Sequence, residues 1–429
     1  MSSTLFFKTT TTAYSYDGTT VTQVTDVDYP ATTCRGAAFL DGRFFVMTPN
    51  SDIYQSATED ALTWASIEFI GAAIEPDTGV YLAKYQNYIM ALKGWSTEFF
   101  YDAANATGSI LGPVPNMAFK IGCAVDASVK EMAGTVVWMG KTRDGEGRSI
   151  YRMNGTGHEL ISTPQVDKIL FADDLAAVSS WSVKVGSHIL YGLTLGTLGV
   201  TLVFDFSSGL WSFFTYLATS GGTKTVTAVS ATGTVTAAAH GYSDGDIVNI
   251  AGTTTFDGFC VAINVTTNTF DCQTTGVAFS GSGTAQKYTE TVFPIVASTS
   301  CGGTQWMQDA TSGALYTMTQ SAYKDAIGAI AARIVTPNFD GSPTRTGSTP
   351  TSNQKKCASV DIIGDKIDST ALIRWTDDDY VTYINTRAID LNLERSWTNR
   401  CGQFVKRAFE VLHVENTAFR VEALDIELK

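Results

Sequence analysis

With 429 residues, 44% of them apolar and 17% charged, the chain has ample material for sizeable cores, and disorder over most of its length is disfavoured. It carries 42 acidic and 29 basic residues, a net charge of −13, with no dense Lys/Arg run, which argues against a face that reads DNA through its phosphates. The same acidity suits a surface past which DNA slides without adhering.

Residues 1–8 lack a basic leader followed by an apolar core, and no run approaches the roughly 18 apolar residues of a membrane span, so the expectation is a soluble protein made in a cytosol. The seven cysteines (34, 123, 260, 272, 301, 357, 401) are scattered, odd in number and without a C-x-x-C pair. They read as buried thiols of a reducing compartment.

The first strand-like runs lie at 5–7, 13–16 and 20–24, with an Asp17-Gly18 turn between the last two. Residues 36–56 then set a pattern: apolar runs at 38–40, 43–47 and 53–55 are separated by Asp41-Gly42 and by Thr48-Pro-Asn-Ser-Asp52. Asp-Gly supplies the positive φ of a two-residue hairpin, and the runs are too short for helices, so this is a β-meander.

The meander recurs. Strands carrying Tyr54, Tyr101, Tyr151, Phe204 and Tyr316 close successive units at steps of 47, 50, 53 and 112 residues. Removing about 64 residues of different character returns the last step to about 48, back on the period. An apolar strand precedes each of them, at 44–46, 88–90, 136–138, 189–191 and 305–307. A β-unit of about 50 residues repeated this way predicts an all-β β-propeller of about six blades. A pair of β-sandwiches is the alternative, but sandwiches give no fixed step. In a propeller, the strands of residues 1–35 are the outer half of a blade whose inner strands come from the C-terminus, so N- and C-terminal strands close the ring.

The expected division is therefore 1–222, the first part of the propeller; 223–287, a small inserted β domain; and 288–429, the propeller remainder and ring closure. The insertion is rich in Thr, Gly and Val, with alternating apolar residues at 238–250 and 254–265 between Gly and Asp turns, and it resembles a short β module of phage structural proteins. An enlarged blade loop is the other reading. Residues 325–332 could form a helical turn or a packed loop, and 341–356, rich in Ser, Thr, Gly and Pro, reads as an exposed excursion. Strands return at 359–363, 371–375, 381–384, 407–413 and 418–428.

Candidate chemistry is sparse. Gly140-Lys-Thr142 looks like the tail of a phosphate loop, but Gly134 is one residue too far away and no helix follows. His158, His188, His240 and His413 have no ligand spacing. Asp377, Asp378 and Asp379 could hold Ca²⁺, yet consecutive carboxylates in a strand connection point different ways. Residues 56–64 and 375–380 are similar to hairpins of sialidase-like propellers, whose catalysis needs clustered arginines with paired carboxylates. The thirteen arginines (35, 43, 143, 148, 152, 333, 345, 374, 387, 395, 400, 407, 420) show no such cluster in sequence. Phe256, Phe259 and Phe270 are spaced as core residues, not as a glycan-binding patch. No catalytic residue, cofactor or metal is therefore assigned, and glycoside hydrolysis or glycan binding stands as the alternative to a structural role.

Tyr14-Ser-Tyr-Asp-Gly18, Val24-Thr-Asp-Val-Asp-Tyr-Pro30, Leu40-Asp-Gly-Arg-Phe-Phe-Val46, Asp52-Ile-Tyr54, Gly94-Trp-Ser-Thr-Glu98, Ile150-Tyr-Arg152 and Gly209-Leu-Trp-Ser212 occur in this order, and near the end come Trp375-Thr-Asp-Asp-Asp-Tyr380, Arg407-Ala-Phe-Glu410 and Phe419-Arg-Val421. The series resembles the packaged-DNA stabilisation or tail-nozzle proteins of short-tailed bacteriophages. The resemblance implies a virion protein of the tail that assembles as a ring, typically a hexamer, below the portal and adaptor. Its channel would retain the packaged double-stranded DNA and conduct it during ejection without sequence-specific contact. The inserted module departs from the family pattern.

Overall fold

Asp41 and Gly42 both take positive φ, 46° and 81°, and turn the strand Ala38–Leu40 tightly into Arg43–Met47. The chain adds Asp52–Ala57 and Asp60–Gly71 to complete a four-stranded antiparallel sheet. This computed structural model describes residues 4–428 apart from 146, 255, 273–276, 326–327 and 341–353. Its residues fall into two compact units, 1–214 with 292–318 and 215–291 with 319–429.

The first unit repeats the meander. The three-stranded sheet Leu5–Lys8, Ala13–Tyr16, Val21–Gln23 comes first, then the sheet of Asp41. The sheets that follow run from Gly79–Tyr85 to Leu111–Phe119, from Gly122–Cys123 to Gly157–Leu160, from Val178–Val185 to the start of Leu210–Val229, and from Ile295–Cys301 to Leu315–Tyr316. Six sheets are thus present among the described residues of this unit, and each packs against the next. Val46 and Trp64 meet Ala13 and Val24; Phe45 and Ile53 meet Leu82 and Ile89; Met90 and Phe99 meet Val136 and Trp138; Met139 and Ile150 meet Tyr191 and Leu202; Trp181 and Val203 meet Ile295 and Met307. This stacking of sheets is a β-propeller. The aromatic residue of the repeat lies on the third strand of its sheet, opposite an apolar second strand: Val46 faces Tyr54, Trp138 faces Tyr151, Tyr191 faces Phe204 and Met307 faces Tyr316. In all but the last of these sheets a fourth, outer strand follows.

The one α-helix among the described residues, Pro164–Ala172, interrupts the strands. Thr163 caps it by accepting the Val166 N–H, Pro164 opens it, and Arg148 donates to the carbonyls of Leu170 and Asp173 at its end.

The second unit departs from the expected division. Among the described residues the expected closure of the ring by N- and C-terminal strands is not seen: the N-terminal strands pair with each other, and those from Ala332–Val335 onward pair among themselves. One sheet contains Ala332–Val335, Ala408–His413, Thr370–Thr376 and Ile384–Asp390; facing strands, centred on Lys355–Gly364, include Ser396–Asn399, Gln403–Phe404 and Val421–Leu428. Val360, Ile362 and Phe404 pack against Ile373, Trp375, Phe409 and Val411 between them, so the described strands from Ala332–Val335 onward form a β-sandwich and not further blades. Period-two strands fit either architecture, and their partners are set by contacts far away in sequence.

Within this unit Val226, Val235, Val248, Phe256 and Phe270, all from the expected insertion, pack together as a core module. It is joined to the sandwich by Leu217, Ile247 and Val261 against Leu372, Leu412 and Val414, and by Arg333 pairing with both Glu290 and Glu410. The cysteines also differ from expectation. Cys260 and Cys272, brought to a Cα separation of 5.6 Å in the module core, are disulfide-bonded, and Cys301 is exposed. At the start of the stretch expected to form a helical turn or a packed loop, residues 324–325 and 328–329 pair as short antiparallel strands. Most of the expected excursion at 341–356 lies outside the described residues. No described helix is long and apolar enough to cross a membrane.

Candidate functional site

Strands of four consecutive sheets converge on a cavity of about 570 Å³, lined among others by Tyr81, by Lys130 and Glu131 of the strand Lys130–Met132, by Ser180 and by Ala297, with Arg35 from the preceding segment. Hydrogen bonds join the strands around it. The Leu82 N–H donates to the Arg35 carbonyl, Ser180 to the Val129 carbonyl, Lys130 to the Ser298 carbonyl at 3.2 Å, and the Ser182 N–H to the Ser298 hydroxyl at 2.8 Å. Gly36, with φ 78°, makes the closest approach: a Cβ there would lie 2.2 Å from the Leu82 carbonyl oxygen and 2.6 Å from the Tyr81 ring.

The cavity mixes both signs of charge. Arg35 stands 3.7 Å from Asp126. Burial pulls Lys130 down, and it pushes Glu131 up to about 7 against the opposing effects of the Lys84 N–H and the nearby lysine charges. Burial, then the Glu131 charge, raise the Tyr81 phenol. Glu131 also borders a neighbouring cavity of about 410 Å³ with Lys84 and Gln86. Nothing in sequence marks these residues as a group, because they come from five separate places between 35 and 297.

The sequence candidates are dispersed. Gly140 and Lys141 lie on the strand Thr135–Lys141, with Gly140 under the Tyr151 ring and no helix start to receive a phosphate. His158 packs edge-on to Phe119 and Tyr151, and burial lowers its pKa. His188 bonds Asp205 at 2.8 Å. His240 lies in the module against Tyr242 and Phe270, and His413 bonds Ser369 at 2.7 Å.

The three aspartates do point apart. Asp377 takes Arg407 through two bonds of 2.7 Å, Asp378 accepts from Thr376 and Thr382, and Asp379 pairs with Lys406 and Asn338. Among the described arginines, Arg333 and Arg374 converge on the buried Glu410, while Arg387 and Arg407 lie over Trp375. These guanidiniums are engaged in ion pairs and ring contacts; Arg345 lies outside the described residues. Phe256 and Phe270 are buried in the module core, and Phe259 packs on Tyr288.

Several motifs of the family series prove to be joints. Asp26 accepts the Trp64 N–H at 3.0 Å, linking the first two sheets. Trp211 donates to the Ile161 carbonyl at 2.8 Å, linking the fourth and fifth. Glu98 pairs with the buried Lys93.

No curated protein matches the sequence. Solved structures to which the chain is similar include BamB from Moraxella catarrhalis, at 12% identity over 73% of this chain and 93% of that one, with a TM-score of 0.32. Another is an exo-β-1,3-galactanase from Phanerochaete chrysosporium, at 9% identity over 99% of both chains, with a TM-score of 0.27. Likenesses of this size carry no functional weight. The sequence model described as bacteriophage P22 Gp10, beta-propeller, matches residues 3–238. That span is more than half of the chain and includes the first five sheets of the propeller, and on this ground the chain belongs to that family of phage structural proteins.

Proposed function

We propose that this virion protein is a subunit of the tail nozzle, assembling as a ring, six copies being typical, below the portal and adaptor. The ring holds packaged double-stranded DNA in the particle and conducts it at ejection. Its role is mechanical, with no reaction centre. The family match over residues 3–238 is the observation that carries this reading.

Three physical features support it. The cavity of about 570 Å³ has the volume of a sphere roughly 10 Å across, less than the ~12 Å of a DNA major groove alone. A cavity of that size does not admit a duplex, which favours a DNA path between copies of the chain. The net charge of −13 repels phosphates, so a lumen walled by such copies lets the duplex slide. Apolar side chains such as Ile67, 78% exposed, and Leu210, 67% exposed, lie on outer strands and are available for contacts between copies.

Electron microscopy of particles with and without this protein tests the proposal. The expected result is a distal ring of six copies around an acidic lumen, missing from the depleted particles, which leak DNA. A monomer absent from particles, or a lumen lined by basic residues, overturns it. Cleavage of a glycan by the purified chain would favour the hydrolase alternative.

A further inference from the structure

Two of the free cysteines, Cys357 and Cys401, are buried in the same core of the β-sandwich. The strand Lys355–Gly364 holds one register with Ser396–Asn399, where Ser359 lies opposite Asn399. It holds another, shifted by a residue, with Gln403–Phe404, where Lys356 lies opposite Gln403. The intervening residues 400–402 absorb the slip, with Arg400 and Gly402 in left-handed conformations at φ 54° and 80°. Cys401 is thereby placed in a bulge across from Cys357. The Cys357 N–H donates to the Gly402 carbonyl and the Arg400 N–H to the Ala358 carbonyl, each at 2.9 Å. Both side chains enter the same core, 0% and 1% exposed. Directly opposed residues on paired strands bring Cβ atoms to about 4.5–5.5 Å, close to the roughly 3.5–4.5 Å that a disulfide needs.

The surroundings favour one thiolate. Arg407 donates to the Cys401 carbonyl, and Arg387 to the carbonyls of Asn399 and Arg400, so two guanidiniums flank the bulge. The hydrogen bond with Cys357 holds the Cys401 thiol down to about 7 against burial, with the two arginine charges assisting, while Cys357 is pushed up.

We propose that Cys357 and Cys401 form an oxidation site that closes to a disulfide when the chain leaves a reducing cytosol, with a low-molecular-weight disulfide as the oxidant. Because both thiols are buried, the bulge at 400–402 opens locally to admit the oxidant; the Cys401 thiolate attacks one of its sulfurs, forming a mixed disulfide and releasing the other half as a thiolate. Cys357 then gives up its proton and attacks the Cys401 sulfur, and the second half departs. Two thiols lose two electrons and two protons, and the oxidant becomes two thiols. The bond ties the strand Lys355–Gly364 to the bulge. Only the setting, a particle released from its host, depends on the virion reading.

The full chain with the exposed Cys301 replaced, Cys301→Ser, is incubated with oxidised glutathione, then unfolded, alkylated and mapped by mass spectrometry. The expected outcome is joint loss of the peptides bearing Cys357 and Cys401 into one cross-linked species lighter by two hydrogens, with Cys34 and Cys123 recovered as alkylated thiols. Adding Cys357→Ser should trap glutathione on Cys401, whereas adding Cys401→Ser should leave several-fold less on Cys357. Recovery of Cys357 and Cys401 as free thiols to the same extent as Cys34 and Cys123 overturns the proposal. So does cross-linking that appears only in denaturant. Should either added variant melt well below the parent, the mapping of the parent alone decides.

Discussion

Lys93 and Glu98 form an ion pair of 2.7 Å at the close of one hairpin, with their side chains 0% and 3% exposed. Asp77 completes the group at 2.8 Å from the same ammonium, and Lys93 also donates to the carbonyls of Ala72 and Glu75. Asp77 in turn accepts from the N–H groups of Trp95 and Ser96, and Glu98 from that of Ile74. The cluster therefore shapes the turn at 94–96 and anchors the loop before it. Removing its cation leaves two carboxylates without a counter-charge. Lys93→Met should lower stability by about 3–5 kcal/mol, read as a fall in denaturant midpoint with an unchanged slope.

Asp77 gives this cluster an acid limit. Burial opposes its ionisation, but the hydrogen bonds from Lys93, Trp95 and Ser96 outweigh it, and its pKa lies below the usual carboxylate value. A depressed folded-state pKa contributes stability above the unfolded pKa, near 3.8, and that contribution is lost as pH falls through the lower folded value. Melting curves between pH 5 and pH 2 should show a loss in the native chain that Asp77→Asn, already weakened at neutral pH, lacks in part.

Glu131 has the opposite sign. Its pKa is raised from 4.5 to about 7, so across that window the folded chain holds a proton the unfolded chain has released. Stability therefore falls as pH rises from about 4.5 to about 7. Glu131→Gln should flatten this dependence, and melting temperatures at pH 5.5 and pH 8 should lie closer together than in the native chain.

Arg407 tests whether geometry or charge matters in the sandwich. Its guanidinium is bidentate to Asp377 and lies about 5 Å from the ring centres of both Trp375 and Phe404. Arg407→Lys keeps the charge and loses the fork. A loss of about 2–4 kcal/mol in chemical denaturation is expected, with cavity residues such as Glu131 unaffected in their titration.

Gly192 packs under Trp181, where a Cβ would fall 2.0 Å from the indole ring. Gly192→Ala should displace that tryptophan, buried between two propeller sheets. A red-shifted emission and a melting temperature several degrees lower are expected from overpacking of about 1–3 kcal/mol.

The repeat was legible because every sheet reuses local chemistry. Asp41-Gly42 dictates a tight turn, and an aromatic third strand against an apolar second strand recurs at a nearly constant interval. The helix at Pro164–Ala172 also left signals that the strand pattern masked: Thr163 as cap, Pro164 at the first position, and Val166, Ile169 and Leu170 along one face. The cavity was not legible, since Arg35, Tyr81, Glu131, Ser180 and Ala297 share no spacing and meet only when the sheets stack. For the same reason the strands after 332 could be recognised as strands while their partners could not. Cys260 and Cys272, twelve residues apart, carry no spacing signal that distinguishes a disulfide from two thiols.

Asp377, Asp378 and Asp379 illustrate how little a run of identical letters says about redundancy. One clamps a guanidinium, the next ties up two threonines of its own turn, and the third reaches Lys406 and Asn338. A substitution scan through this tripeptide would give three unlike phenotypes from three like residues, and a homologue that shortened the run by one would have to surrender a particular bond, not a share of a common negative patch.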